Sequence, residues 1–112
     1  MDKLPKIIYS YINALNDYDM KGYLNTFSHD AIIKEKSLGQ TLVAKREIEH
    51  YFETYFINYQ TQTEIIEFEV SQNIIHIKVQ FTGNFPEEQI NGLFKFTLNH
   101  SGLISILEAD LE

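Results

Sequence analysis

The spacing of apolar residues changes once along this chain, near Gln60, and this change limits the folds that the chain can adopt. Before that point, apolar residues recur every third or fourth position, as on one face of an α-helix. After it they alternate with polar residues, as on a half-buried strand. Four strands are predicted, at residues 63–71, 74–83, 91–99 and 103–111, separated by polar turn segments. Helices followed by hairpin-linked strands indicate an α+β fold in which three helices cover one face of a curved, mainly antiparallel sheet.

The first half of the chain contains the predicted helices. The predicted elements are, in order, a helix Leu4–Leu15, a helix Met20–Phe27, a short strand of about Ala31–Glu35, a loop around Gly39 and a helix Ala44–Tyr59. Asp19 is a suitable cap for the second helix. The third helix carries a stripe of aromatic residues, which more often packs a core than lines a pocket.

Length and composition indicate a single domain, residues 1–112, with one core. The chain has eight Phe and seven Tyr but no Trp, so large rings must fill much of its interior. Aromatic interiors of this kind can also line pockets. The N-terminal segment lacks the continuous apolar run of a leader peptide, which favours a cytoplasmic location.

The charge distribution argues against two classes of partner. The formal net charge is −7, and the segment from Glu47 to Glu69 holds six glutamates and no Lys or Arg. Such a surface repels phosphates and anionic lipid headgroups. We therefore expect neither nucleic acid nor a membrane as a partner.

Metal and cofactor sites are not expected. The chain has no cysteine, which excludes disulfides, thiolate metal sites and a cysteine nucleophile. Its four histidines are scattered without the spacing of metal ligands. His76 is expected on the outer face of its strand, together with Lys78.

Glu35 is the main candidate for chemistry. It ends the short strand in "DAIIKEKSLG", between two lysines. Alternation puts Glu35 on the same face as Ile33, and puts Lys34 and Lys36 on the other. If the Ile33 face is the inner one, the carboxylate enters an apolar pocket and is a candidate general base. Otherwise it is a solvated charge at a strand end.

Several segments together resemble a known superfamily. They are "YINALNDYDMKGYLNTFSHDAII", "TGNFPEEQINGLFKFTL" and "GLISILEADL", which occur in the expected order, and the resemblance that they carry extends over essentially the whole chain. They are similar to the cone-shaped, cystatin-like α+β superfamily of nuclear transport factor two, ketosteroid isomerase, scytalone dehydratase and the SnoaL-like polyketide cyclases. The resemblance implies a sheet that curls around the helices, an apolar pocket at the open end of the cone, and a homodimer formed through the outer face of the sheet.

The resemblance also implies roles for particular residues. Glu35 fills the position of the catalytic aspartate in the isomerase pattern "D-A-x-V-x-D", and Tyr11 fills that of its oxyanion-stabilising tyrosine. Tyr11 lies near the middle of the apolar face of the first helix, so a purely structural role in the core is the alternative. Where the isomerase has a second, protonated aspartate, the nearest residues here are Asn91 and Gly92, which leaves the oxyanion site incomplete.

Two functions follow from these residues. The favoured one is a domain that binds a small hydrophobic ligand in an apolar pocket, or acts as a dimeric module. The alternative is a cofactor-independent isomerase, cyclase or dehydratase acting on a small hydrophobic carbonyl compound, with Glu35 as base and Tyr11 as oxyanion donor. The residues predicted to contact the ligand are Phe52, Phe56, Ile33, Phe27 and Asn91.

Overall fold

The computed structural model describes residues 3–112 and contains three α-helices and six strands. The helices are α1 (Lys6–Asp17), α2 (Met20–Leu24) and α3 (Lys45–Phe52). The strands are β1 (Phe27–Glu35), β2 (Gln40–Leu42), β3 (Gln62–Ser71), β4 (Ile74–Thr82), β5 (Ile90–Leu98) and β6 (Ile104–Leu111). This element order confirms the predicted α+β class and its helices-first arrangement.

All six strands form one sheet in the order β2-β1-β6-β5-β4-β3. The strands β3 to β6 form an antiparallel meander, as predicted, and β1 lies parallel to β6. The last strand, β6, therefore lies between β1 and β5. Within residues 3–112, no helix is long and apolar enough to cross a membrane.

The predictions for the segment between Met20 and Gly39 were partly wrong. Helix α2 ends at Leu24, and Phe27 already belongs to β1, where it pairs with Ile104. Phe27 lies four residues after Tyr23, so it fits a helical apolar pattern. Its ring nevertheless reaches the same core from a strand, packing edge-on against Tyr23 with centroids 5.2 Å apart.

Strand β2 was missed because it has only three residues and an exposed burial pattern. Gly39 adopts φ of +64°, and the turn at that residue folds β2 back against the end of β1, so that Glu35 pairs with Gln40 and Ile33 with Leu42. The segment around Gly39, predicted as a loop, is therefore the turn of a hairpin, and glycine suits its positive φ.

Aromatic rings form the centre of the core, as the composition predicts. Tyr11 is fully buried, and its ring contacts Tyr23, Phe27, Phe94 and Phe96 at centroid distances of 5.3 to 5.9 Å. Most of these contacts are edge-to-face, the arrangement that aromatic quadrupoles favour. The core thus joins α1 to both β1 and β5.

Asn16, within the quoted "YINALNDYD" segment, connects the end of α1 to the start of β3. Its side-chain amide donates to the Thr63 carbonyl at 2.9 Å, and the Thr63 backbone N–H donates to Asn16 Oδ1 at 2.7 Å. The side chain therefore takes the place of a neighbouring strand for the backbone of Thr63. This pair of hydrogen bonds fixes the helix end on the sheet.

We expect Asn16→Ala to lower the free energy of unfolding by about 1–3 kcal/mol, because two partly buried backbone groups lose their partners. Urea denaturation followed by circular dichroism measures the change. The matched control is Asn58→Ala, since the Asn58 side chain is exposed, and it should change stability by less than about 0.5 kcal/mol. Equal effects of the two substitutions would show that the Asn16 side chain does not fasten β3.

Candidate functional site

A cavity of about 250 Å³ opens between the chain that follows α3, the end of β1 and the strands β4 to β6. Its wall is mainly apolar and aromatic. The residues that line it are Glu35, Ser37, Leu38, Tyr51, Tyr55, Phe56, Tyr59, Thr61, Phe81, Phe85, Pro86, Ile90, Phe94, Ala109, Asp110 and Leu111. Asp110 borders the cavity, but alternation along β6 puts its side chain on the outer face of the sheet, opposite to Ala109.

Glu35 places a buried carboxylate in this wall. It is only 5% exposed, on the same face of β1 as Ile33, whereas Lys36 turns to the outer face and pairs with Glu108 at 3.3 Å. The Ile33 face of β1 is thus the inner one, and Glu35 points inward, which was the first of the two alternatives that the sequence left open. Because β1 ends at Glu35, its side chain also caps the following turn of Lys36–Leu38.

Three donors hold the Glu35 carboxylate. The backbone N–H and the hydroxyl of Ser37 donate to Oε1 at 3.1 and 2.5 Å, and the Tyr51 hydroxyl donates to Oε2 at 2.5 Å. An ionised carboxylate accepts all three of these hydrogen bonds. The arrangement fixes the orientation of the acid at the cavity wall.

The tyrosine that donates to Glu35 is Tyr51, whereas the resemblance implied a role for Tyr11, as the oxyanion donor. Tyr11 does not line the cavity, and its buried hydroxyl has no hydrogen-bond partner among the described residues. Burial, and then the charge of Glu35, raise the pKa of both Tyr11 and Tyr51 well above the ordinary value. Both phenols stay protonated at neutral pH, which lets Tyr51 act as a donor.

A π-helical turn, Glu53–Ile57, follows α3 and shapes the aromatic wall. The Asn58 N–H donates to the Glu53 carbonyl five residues earlier, at 2.9 Å. In this widened turn both Tyr55 and Phe56 reach the cavity, as does Tyr59 beyond it. Such turns are often found at functional sites.

The segment between β4 and β5 closes one side of the cavity. The Asn84 N–H donates to the Tyr59 carbonyl at 2.7 Å, and the Phe85 ring lies 6.2 Å from the Tyr59 ring. The sequence "GNFP" within this segment is typical of a turn that ends a strand. Here Phe85 and Pro86 also form part of the cavity wall.

Solved structures resemble this arrangement over nearly the whole chain. No protein-family model matches the sequence, and no curated protein matches it significantly. The candidate polyketide cyclase SMa1630 of Sinorhizobium meliloti superposes with a TM-score of 0.85 at 23% identity, covering 95% of this chain and 94% of that one. The chain has a SnoaL-like, nuclear transport factor two-like fold.

Two further structures with this fold were determined with bound molecules. A protein of ketosteroid isomerase-like fold from Catenulispora acidiphila, in complex with trimethylamine, has a TM-score of 0.82 at 12% identity and covers 96% of this chain and 85% of its own. RV0760c of Mycobacterium tuberculosis, in complex with estradiol-17beta-hemisuccinate, has a TM-score of 0.81 at 17% identity and covers 93% and 89%. Identities this low show a shared SnoaL-like fold and nothing finer.

Within the SnoaL-like fold, the residues predicted to bind a ligand divide into two groups. Phe56 lines the cavity, whereas Phe52, Ile33 and Phe27 are buried in the core and do not. Phe52 stacks on Tyr23 at 4.3 Å between centroids, which removes its ring from the cavity. Glu35 and Phe56 thus both line the cavity, whereas Phe52, Ile33 and Phe27 belong to the core.

Asn91 lies on the outer face of the sheet of the SnoaL-like fold. It pairs with Gln80 of the neighbouring strand β4, and its side-chain amide donates to Glu112 Oε1 at 3.4 Å. The inward positions of β5 nearest the cavity are Ile90 and Gly92. Asn91 is therefore not placed to donate to an oxygen in the cavity.

Metal ligands do not cluster in the part of the chain that the structure describes. No group of three or more His, Asp or Glu side chains there is arranged to hold an ion. The chemistry of the cavity wall is thus that of a carboxylate, several phenols and apolar groups.

We expect three buried tyrosines to ionise only when the protein unfolds. An unfolded tyrosine has a pKa of about 10, and burial raises the folded pKa of Tyr11, Tyr23 and Tyr51 above it. Above pH 10 the unfolded chain releases protons that the folded one keeps, so stability from these groups is complete below pH 10 and falls as pH rises.

Tyrosinate absorbance, recorded with far-ultraviolet circular dichroism during an alkaline titration, measures this effect. Part of the absorbance rise should coincide with the loss of helix and strand signal. Ionisation of all seven tyrosines in a chain that keeps its native spectrum would contradict the expectation.

Proposed function

We propose that this protein binds a small hydrophobic molecule in the cavity beside Glu35. The observation that carries the proposal is the cavity of about 250 Å³, whose wall is aromatic and apolar apart from a few polar groups that include one buried carboxylate. Binding sites for small molecules typically combine an apolar wall with a few fixed polar groups. Ser37 and Tyr51 hold that carboxylate in place before a ligand arrives.

The bound molecules of the structural neighbours support this proposal. A steroid hemisuccinate is present in the complex of RV0760c, and trimethylamine in that of the Catenulispora acidiphila protein. These ligands differ in size and charge. They support small-molecule binding as the function. The chemical class of the ligand is inferred from the residues that line this cavity.

We expect a hydrophobic ligand to perturb the cavity wall and not the exposed face of α1. A panel of small hydrophobic carbonyl compounds should give at least one hit in a thermal-shift assay. A ligand at 100 times its Kd stabilises the fold by about 2.7 kcal/mol, which raises Tm by roughly 10 °C or more in a domain of this size.

Amide chemical shifts then locate the hit. Ser37, Tyr51 and Phe85 should move, and Tyr9, whose exposed side chain lies on α1, serves as the internal control. Hits that shift only residues away from the wall would refute the proposal.

A second candidate function is general-base catalysis by Glu35. The observation that favours it is a buried carboxylate at the cavity wall with a protonated tyrosine at 2.5 Å. In this proposal Glu35 removes a proton next to a carbonyl group, and Tyr51 orients the base. No cofactor takes part in such a step.

We expect Glu35→Gln to slow proton exchange at the α-carbon of cyclohexanone by about 10²-fold to 10⁴-fold, because the amide cannot accept the proton. Exchange in deuterium oxide, followed by NMR, measures the rate. Tyr51→Phe should lower it less, by freeing Glu35 from its orientation, and Tyr11→Phe least, since Tyr11 is off the wall. A Glu35→Gln variant as fast as the parent protein rules out this role.

We further propose a homodimer through the outer face of the sheet. A row of charged and titratable residues crosses this face from β1 to β3, formed by Lys34, Glu108, Lys95, His76 and Glu69. The row ends in opposite charges, so a second copy related by a twofold axis that crosses the middle of the row brings Lys34 opposite Glu69. Opposite charges at the two ends of one patch suit a twofold interface. A cytoplasmic location stays a prediction of the sequence.

A further inference from the structure

Glu35 is a buried carboxylate that forms no ion pair within residues 3–112. The three salt bridges of the described chain are Lys36–Glu108, Lys78–Glu112 and Lys95–Glu108. Both lysines that flank Glu35 in sequence lie on the outer face of the sheet. An opposite charge nearby stabilises a buried charge, so this wall favours a ligand with a positively charged group.

The cavity wall has no positively charged side chain that would repel a cation, and it has many aromatic rings that would attract one. None of its residues is Lys, Arg or His. Seven of them carry aromatic rings: Tyr51, Tyr55, Phe56, Tyr59, Phe81, Phe85 and Phe94. The faces of such rings attract cations, most strongly where water is excluded. The formal charge of −7 on the whole chain adds attraction at longer range.

We infer that the ligand of this cavity is a small organic cation, an amine or quaternary ammonium compound with an apolar body. The inference rests on the proposed binding function and names the chemistry of its ligand. Glu35 supplies the negative charge at the inner wall. Tyr55 and Tyr59, each 40% exposed, supply ring faces at the mouth.

The size and the hydrogen bonding of the site agree with such a ligand. The cavity of about 250 Å³ lies just below the range of roughly 300–1,000 Å³ typical of pockets for drug-sized ligands. A carboxylate has about four acceptor positions, and Ser37 and Tyr51 together use three at Glu35. One position remains for the N–H of a protonated amine, while a quaternary ammonium group needs only the charge.

The test compares choline with its neutral isostere, in which a quaternary carbon replaces the nitrogen. The two probes have nearly the same shape and differ in charge. Calorimetric titration of the full chain should give a Kd for choline at least about tenfold lower than that for the isostere. If the isostere binds as tightly as choline, the inference fails while the proposed binding function stands.

Three variants then locate the binding. Glu35→Gln should weaken choline by about tenfold or more and leave the isostere unchanged. Tyr59→Leu, at the partly exposed mouth, should weaken choline by a smaller factor without disturbing the buried core, and keeps the test decisive if Glu35→Gln does not fold. Tyr9→Leu is the matched control, because Tyr9 is 49% exposed on α1 and does not line the cavity.

Two further results would overturn the inference. One is choline binding that neither Glu35→Gln nor Tyr59→Leu weakens, which places the cation elsewhere on this acidic protein. The other is no binding of choline to a chain whose cavity wall responds to a neutral carbonyl compound. That second result leaves the proposed function intact, whereas a wall that responds to neither probe removes both.

Discussion

The parallel pairing of β1 with β6 is the interaction on which the rest of the structure depends. These strands come from opposite halves of the chain, and β2, α3 and the strands β3 to β5 lie between them in sequence. The Ile104 N–H donates to the Thr26 carbonyl at 2.9 Å where the pairing begins, and Glu35 lies beside Ala109 where it ends. This register brings the Glu35 carboxylate to the cavity wall that β6 helps to form. A shift of one residue would turn it to the outer face.

The pairing is held by apolar burial and not by the charges around it. Ile33, Ile104 and Leu107 are fully buried where β1 and β6 meet. Their burial fixes which face of β1 is inward, and the Glu35 side chain points to that face because it is two residues beyond Ile33. The apolar neighbours of Glu35 therefore determine that its carboxylate is buried. Ser37 and Tyr51 then satisfy it with hydrogen bonds that offset part of its desolvation.

The sequence predicts those features that depend on local periodicity. The four strands of the meander follow from alternation, which also puts Glu35 on the same face of β1 as Ile33. Alternation did not decide which face is inward. Strand β2 was missed because it has only three residues and they are mostly exposed. The early end of α2 was missed because a long-range contact decides it: Phe27 fits a helix by spacing, yet pairing with Ile104 draws it into β1. The bond between Tyr51 and Glu35 joins two separate elements, and nothing in the spacing of either predicts it.

Asn91 is different, because the sequence held information that could have placed it. In "INGLFKF" it shares a face with Leu93 and Lys95, while Gly92 shares one with Phe94 and Phe96. The second set is the buried one, so alternation already favoured an outward Asn91. A resemblance gives a position along a strand, whereas the face that a side chain occupies depends on the pattern of the chain itself.

The two proposed roles of Glu35 make different demands on its surroundings. A general base needs a free acceptor position aimed at the proton that it removes. A counter-charge needs none, because its attraction for a cation does not require a shared hydrogen. Ser37 and Tyr51 occupy most acceptor positions of the carboxylate, and they restrict the direction from which a proton can reach it. The same hydrogen bonds fix the position of the Glu35 carboxylate beside the aromatic rings. A cation binds most strongly where a preorganised negative charge and aromatic ring faces lie together. The geometry of this wall therefore favours the counter-charge over the base.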